Sequence, residues 1–215
     1  GSLLKKPQLQ LLKFTKYIQI MLNRIILASK SKVRKHILDK HNITCEVEPS
    51  NVDEDIVKLS LIKENATPEI ISKNLAELKA NKVSQMKSGE IVLGADSVID
   101  LNGKLISKPI SRKEAINILI LLNGRSHFLI SSVCISLDGK MIWNYTEKAE
   151  MKMKNFTRDE LEDYLSKISD KNLYSYNVYQ IEGEGKKLFS EIKGNVDTIM
   201  GLPIKRIKQY LDSIK

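Results

Sequence analysis

Four groups of side chains in this sequence have the types and spacing to handle a phosphorylated ligand. The first follows an apolar run, Arg24-Ile25-Ile26-Leu27-Ala28, and reads Ser29-Lys30-Ser31-Lys32-Val33-Arg34. A helix starting there presents unpaired N–H groups and partial positive charge to an anion. Two hydroxyls and three cations deepen that site. The competing reading is an ordinary N-cap at Ser31 with its lysines in solvent. The second group is acidic: Asp53, Glu54 and Asp96. Asp96 closes the apolar run Ile91-Val92-Leu93-Gly94-Ala95, where a buried carboxylate is costly unless it is paired or holds a cation. Turn amides are the alternative partner for it, and Asp53-Glu54-Asp55 by itself reads as a solvated acidic turn. In the third group, Pro109 holds Lys108 in an extended conformation, and Lys79 on a long helix is either a phosphate ligand or a surface charge. The fourth is Tyr179-Gln180-Ile181-Glu182-Gly183-Glu184-Gly185, a glycine-bearing turn that either passes a ligand or joins a hairpin. His36, His41 and His127 are not spaced as metal ligands, and no Ser/His/Asp set can be read.

These groups need a scaffold, and the pattern supplies one. Arg24–Ala28 reads as a short buried strand, followed by a helix to about Lys40 with Val33, Ile37 and Leu38 apolar. Ile43–Val47 alternates as a second strand. Thr67-Pro68-Glu69 starts a helix whose Ile70, Ile71, Leu75, Leu78 and Val83 keep a helical period. Glu90–Asp100 is strand-like, with Asn102-Gly103 turning into Lys104–Ser107. Ser111-Arg112-Lys113-Glu114 and Thr157-Arg158-Asp159-Glu160 have the spacing of capping boxes, opening helices to Leu122 and to about Ile168. His127–Leu137 and Lys140–Tyr145 form a hairpin across Asp138-Gly139, and Met151 and Met153 extend the sheet. Lys187–Ile192 is a strand, Thr198–Met200 a short apolar run, and Gly201-Leu202-Pro203 starts a closing helix. Hairpins interrupt the alternation of helix and strand, so a mixed α/β sheet flanked by helices is expected rather than a doubly wound parallel one.

Composition narrows the function classes. At 215 residues with 42% hydrophobic and 28% charged, the chain is an ordinary globular sequence, neither disordered nor fibrous. Two cysteines, Cys45 and Cys134, without a CxxC argue against a zinc site or a disulfide framework, and a reducing cytoplasmic compartment fits. No apolar run is long enough to span a membrane, so no membrane partner is expected. The net charge of +9 is uneven: residues 1–40 hold ten Lys or Arg against Asp39 alone. This is either a solvated basic tail or a surface drawn to polyanions. Gly1-Ser2 reads as an expression remnant, and a natural start at Met21 would make the preceding residues an upstream extension. Residues 3–22 carry no acid, and an amphipathic helix is left open there. The expected division is an N-terminal extension over 1–23 and one domain over 24–215.

In order and spacing, the chain resembles the Maf family of nucleoside triphosphate pyrophosphatases. The resemblance rests on Leu27-Ala28-Ser29-Lys30-Ser31 with Arg34, Val52-Asp53-Glu54, Leu75-Ala76 with Lys79-Ala80, and Gly94-Ala95-Asp96-Ser97-Val98. It continues through Lys108-Pro109, Leu122-Asn123-Gly124-Arg125 with His127, Tyr179 with Glu182-Gly183, and Ile192-Lys193-Gly194 leading to Gly201-Leu202-Pro203. It implies a twisted mixed sheet with a nucleotide cleft between two lobes, usually in a homodimer. The implied reaction is hydrolysis of a nucleoside triphosphate to monophosphate and pyrophosphate, with Mg²⁺ or Mn²⁺. By resemblance, Asp96 is the general base, Glu54 and Asp96 hold metal, and Ser29, Arg34, Lys79 and Lys108 contact substrate.

By the same resemblance, Val33, Ser97 and Glu182 fall at positions that the family ties to substrate choice. Valine replaces the usual large side chain at the first, and glutamate replaces glutamine at the last. A carboxylate only accepts hydrogen bonds, so a buried Glu182 suits the adjacent N1–H and N2–H donors of guanine. Guanine-type triphosphates, 7-methyl-GTP included, are therefore expected to outrank dTTP and UTP. A regulator of cell division that binds nucleotide or nucleic acid without turnover is the alternative. Its only support is the basic N-terminus, and no interleaving of aromatic and basic residues marks a nucleic-acid surface, so no stable nucleic-acid partner is expected.

Overall fold

A computed structural model describes residues 5–22 and 24–214, apart from the side chains of residues 16 to 22. Gly1-Ser2 lies outside the described residues. The open N-terminal segment is a helix, α1 (Lys6–Leu22), whose Leu9, Leu11, Leu12 and Phe14 are exposed.

β1 (Ile25–Leu27) is apolar throughout and buried, as a parallel strand covered on both faces must be. It pairs in parallel with β2 (Cys45–Val47) on one side and with the start of β3 (Val92–Leu101) on the other. The connection from β1 to β2 is α2 (Lys32–Lys40). The one from β2 to β3 runs through α3 (Glu54–Lys63) and α4 (Pro68–Met86). From β3 onward the sheet is antiparallel. β4 (Lys104–Ile106) folds back on the end of β3 across Asn102-Gly103, where both residues have positive φ, 50° and 87°. The long hairpin of β5 (Ser126–Leu137) and β6 (Lys140–Met153) turns at Asp138-Gly139, again with two positive φ values, 49° and 80°. Asn-Gly and Asp-Gly suit such turns because neither residue type resists the left-handed region. β7 (Phe189–Lys193) adds to β6, giving the order β2-β1-β3-β5-β6-β7 with β4 beside β3. This is the mixed sheet flanked by helices that the pattern predicts.

Two large cores share that sheet, beside two small clusters that include Val83, Ala76 and Ala80 of α4. Ile25 and Leu27 of β1, Ile37 and Leu38 of α2, and Leu93 and Ala95 of β3 pack with Ile204 and Ile207 of the closing helix. Ile99 and Leu101, at the other end of β3, belong to a second core with α5 (Arg112–Leu122), α6 (Arg158–Ser166) and α7 (Asp170–Tyr176). These cores are the two lobes, and β3 and β5 run through both.

Four expectations change. The acidic turn at 53–55 is the start of α3, with Asp53 as its N-cap. Its apolar residues keep no single face and none is buried, so periodicity gave no sign of a helix. Thr198–Met200 belongs to a one-and-a-half-turn helix, α8 (Val196–Met200), closed by Gly201 before α9 (Ile204–Ser213). α7 was not expected; its seven residues are too few to show a period. Ser111 caps α5 through the Glu114 N–H, but the reciprocal half of a capping box forms only at Thr157 and Glu160.

Candidate active site

β1 ends at Leu27, whereas β3 continues past it and is joined again only at Ile99 by β4. This difference in length leaves a notch along β3 at Gly94–Val98. A cleft of about 550 Å³ opens there, beyond the carboxyl ends of the parallel strands, where open α/β sheets commonly bind ligands. Ser29, Val33, Arg34, Glu54, Lys79, Asp96, Ser97, Lys108 and Glu182 all line it. The nine candidates, separated by up to 153 positions in sequence, meet in one place.

Successive residues of a strand face opposite sides, and Asp96 and Ser97 exploit this. Asp96 faces α4, where the buried Lys79 Nζ donates to its Oδ1 at 3.2 Å and to the Ala95 carbonyl at 3.1 Å. The same ammonium pairs with Glu54 Oε1 at the start of α3. An ammonium has three donors, and here all three are taken by the protein. Asp96 Oδ2 is buried with no hydrogen-bond partner. Burial raises the pKa of Asp96; the Lys79 and Lys58 cations oppose the rise without cancelling it. For Glu54 burial also pushes upward, but Lys79, Lys58 and Lys108 outweigh it and hold its pKa below the ordinary value.

Ser97 faces the other side and meets Arg34 of α2. The guanidinium donates from Nη2 to Ser97 Oγ at 3.2 Å, from Nη1 to Ser29 Oγ at 3.3 Å, and from Nε to the Gly201 carbonyl at 3.0 Å. All three acceptors are neutral, so Arg34 is held in place with its charge uncompensated by direct pairing. Burial lowers its pKa, against the attraction of Asp96 and Glu54; a guanidinium still stays charged. Gly201 has φ +127°, and a Cβ there would lie 3.2 Å from Arg34 Nε, so glycine permits the contact. Ser31 is indeed the N-cap, accepting from the Arg34 N–H, while Ser29 Oγ accepts from the Ser31 N–H. Capping thus does not take this helix start out of the cleft, which Ser29 to Arg34 line. Lys108 closes the far side; burial and the repulsion of Arg34 lower its pKa.

Glu182 is exposed, against the expectation of a buried carboxylate, and accepts from Gln180 Nε2 at 3.4 Å. Ile181, its neighbour, takes the place in the core instead. Asp53 is spent on the cap of α3, accepting from the Ile56 N–H, so the acidic pair divides and only Glu54 enters the cleft. Lys58 was missed: it lines the cleft one turn after Glu54, a relation visible only once 54–63 is known to be helical. Tyr179 lines the cleft too, its hydroxyl 2.8 Å from Nε2 of the buried His127.

Among the described residues, no group of three or more His, Cys, Asp or Glu is arranged to hold a metal ion. Two carboxylates, one with an orphaned buried oxygen, still fit a hard cation that takes its other ligands from phosphate and water, as Mg²⁺ commonly does.

The family model described as Maf-like protein matches residues 24–214. A nucleoside triphosphate pyrophosphatase of Pelagibacter ubique (strain HTCC1062) is 69% identical over 195 residues, 91% of this chain and 100% of that one. A second, from Caulobacter vibrioides, is 38% identical over 190 residues, 88% of this chain and 95% of its own. A 7-methyl-GTP pyrophosphatase of Rhizobium etli is 34% identical over 184 residues, covering 86% of this chain and 92% of its own. With the match running through the sheet, both lobes and the cleft between them, the chain belongs to the Maf-like protein family.

Proposed function

We propose that this chain hydrolyses nucleoside triphosphates to the monophosphate and pyrophosphate. The observation that carries this is the unpartnered buried Oδ2 of Asp96, set in a cleft whose charged lining is otherwise mainly cationic. Water attacks the α-phosphorus, a new P–O bond forms, and the bond to the β-phosphoryl oxygen breaks. Asp96 orients that water through Oδ2 and takes its proton. Lys79 holds Asp96 by Oδ1 beside Glu54 and leaves Oδ2 as the oxygen the protein does not engage. Arg34, Lys108 and the Ser29–Ser31 start of α2 bind the phosphates and offset the charge that grows on their oxygens. Glu54 and Asp96 would hold Mg²⁺ or Mn²⁺, which supplies Lewis-acid stabilisation of that charge when bound.

The base is proposed to be of guanine type, 7-methylguanine included, read by Glu182 from the cleft rim. Exposure of that carboxylate makes the discrimination modest, because a wrong base leaves it hydrated rather than unpaired. The homodimer and the cytoplasmic setting implied by the family also belong to this proposal. No helix among the described residues is long and apolar enough to cross a membrane, and light scattering tests the dimer by its mass.

A nucleotide panel with Mg²⁺ or Mn²⁺ tests the reaction, with pyrophosphate rather than orthophosphate as the expected product. In the same panel, kcat/KM for 7-methyl-GTP and GTP is expected to exceed that for UTP and dTTP, by about tenfold or less. Glu182→Gln narrows that gap; an unchanged ranking removes Glu182 from base recognition.

A further inference from the structure

Arg34 has five N–H donors, of which the protein engages three. The remaining two, one on each terminal nitrogen, form the fork available to an oxyanion. Their direction depends on what fixes the guanidinium plane, and one of those supports leads away from the cleft. Ser97 Oγ, which accepts from Arg34 Nη2, lies 2.9 Å from Ser131 Oγ on β5, its direct partner in the strand register. Ser131 is fully buried and donates to the Thr198 carbonyl at 2.7 Å.

Counting hydrogens fixes the direction of every bond. A serine hydroxyl has one proton. That of Ser131 goes to the Thr198 carbonyl, so the proton between the two serines belongs to Ser97. The order is therefore Arg34 N–H to Ser97, Ser97 O–H to Ser131, and Ser131 O–H to Thr198. Each link donates in the same sense, the arrangement in which neighbouring hydrogen bonds polarise one another. Thr198 is itself fixed, since its hydroxyl donates to Glu147 Oε2 on β6. Gly201, three residues on, supplies the carbonyl for Arg34 Nε. The short helix α8 and its C-cap thus secure the guanidinium twice, once directly through Gly201 and once from Thr198 through two serines.

We propose that Ser131 is a positioning residue for the oxyanion-binding fork of Arg34, acting through Ser97. Ser97 has no hydrogen left to offer a substrate, so it acts toward one only as an acceptor or through Arg34. The inference rests on the function proposed above, in which Arg34 binds phosphate.

The test is a double-mutant cycle on the full chain. Affinity for an α,β-methylene nucleoside triphosphate analogue is measured by calorimetry in wild type, Ser131→Ala, Arg34→Ala and the double variant, with thermal melts of each. Ser131→Ala is expected to weaken binding about tenfold in the wild-type background and by less than twofold once Arg34 is absent. A purely structural role would give equal losses in both backgrounds and would overturn the proposal, as would wild-type affinity in Ser131→Ala. Should Ser131→Ala fail to fold, Ser97→Ala, at a partly exposed position, cuts the same chain and must show the same dependence on Arg34. A wild type that does not bind the analogue defeats the functional proposal and this one with it. A wild type that binds it and is sensitive to Arg34→Ala, but not to either serine, overturns this one alone.

Discussion

The two oxygens of Asp96 have unlike surroundings: Oδ1 accepts from Lys79, while Oδ2 is buried and unpartnered. Because burial leaves its pKa raised above 3.8, folding favours the protonated form. That stabilisation is complete below the unfolded value and is lost as pH rises through the folded value. Asp96→Asn escapes the loss, so its melting temperature should gain on that of wild type as pH is raised across this window. Pyrophosphate release should fall by about 10²–10⁴-fold in the same variant. Near wild-type turnover by the folded asparagine variant would remove Asp96 as the base. Residue type singled out Asp96, the resemblance added Glu54, Lys79, Arg34 and Lys108, and Lys58 escaped both. They were not enough for Ser131, whose partners lie 34 and 67 positions away, one brought to it by strand register and the other by the packing of α8. Nor did they show that the protein itself takes all three Lys79 donors.

At the scale of elements, the distance between Lys79 and Asp96 is set by how closely α4 approaches β3. A Cβ on Gly94 would lie 2.3 Å from the Ala76 carbonyl oxygen and 2.7 Å from the Ala80 N, backbone atoms that cannot rotate away. Gly94→Ala must therefore lift the helix that carries Lys79. Such overpacking costs about 1–3 kcal/mol, and kcat should drop at least about tenfold at temperatures where the variant remains folded. Melting curves and kcat on one preparation check this; lowered stability with intact turnover would show that the spacing is not critical. α4 and β3 were legible because each has clear ends and a clean apolar period. α3 was not, because a helix that buries nothing leaves no pattern, and its cap was read as part of a solvated turn.

For the molecule as a whole, the two lobes are halves of one sheet rather than separate domains, since β3 and β5 contribute to both cores. His127 belongs to this shared framework: it is buried on β5, with Nε2 beside the Tyr179 hydroxyl and Nδ1 unpartnered. Burial lowers its pKa from 6.5 to about 4, so it stays neutral at physiological pH. Stability should fall as pH drops from about 6.5 and level off below about 4, a loss approaching roughly 3 kcal/mol. Urea midpoints from pH 8 to pH 4 measure it, and His127→Gln should lose markedly less over the same range. Equal losses would place the acid sensitivity elsewhere. The sheet was legible down to its hairpins. The sharing of its strands between two cores was not, because a ten-residue strand gives no sign in sequence of which partner covers each half.

The two carboxylates of the cleft stand on unequal footings. Asp96 is part of a strand buried within the sheet, whereas Glu54 and Lys58 belong to α3, a helix without a single buried residue. Exchanges along α3 therefore draw little on the stability that keeps the chain folded, while exchanges around Asp96 draw on it heavily. Over evolutionary time, the positions of α3 around Glu54 can drift at little cost to folding, and those around Asp96 cannot. New substrate preferences that arise by altering the α3 wall carry almost no folding penalty, so variation in what this scaffold accepts should collect there while the wall holding the base stays fixed.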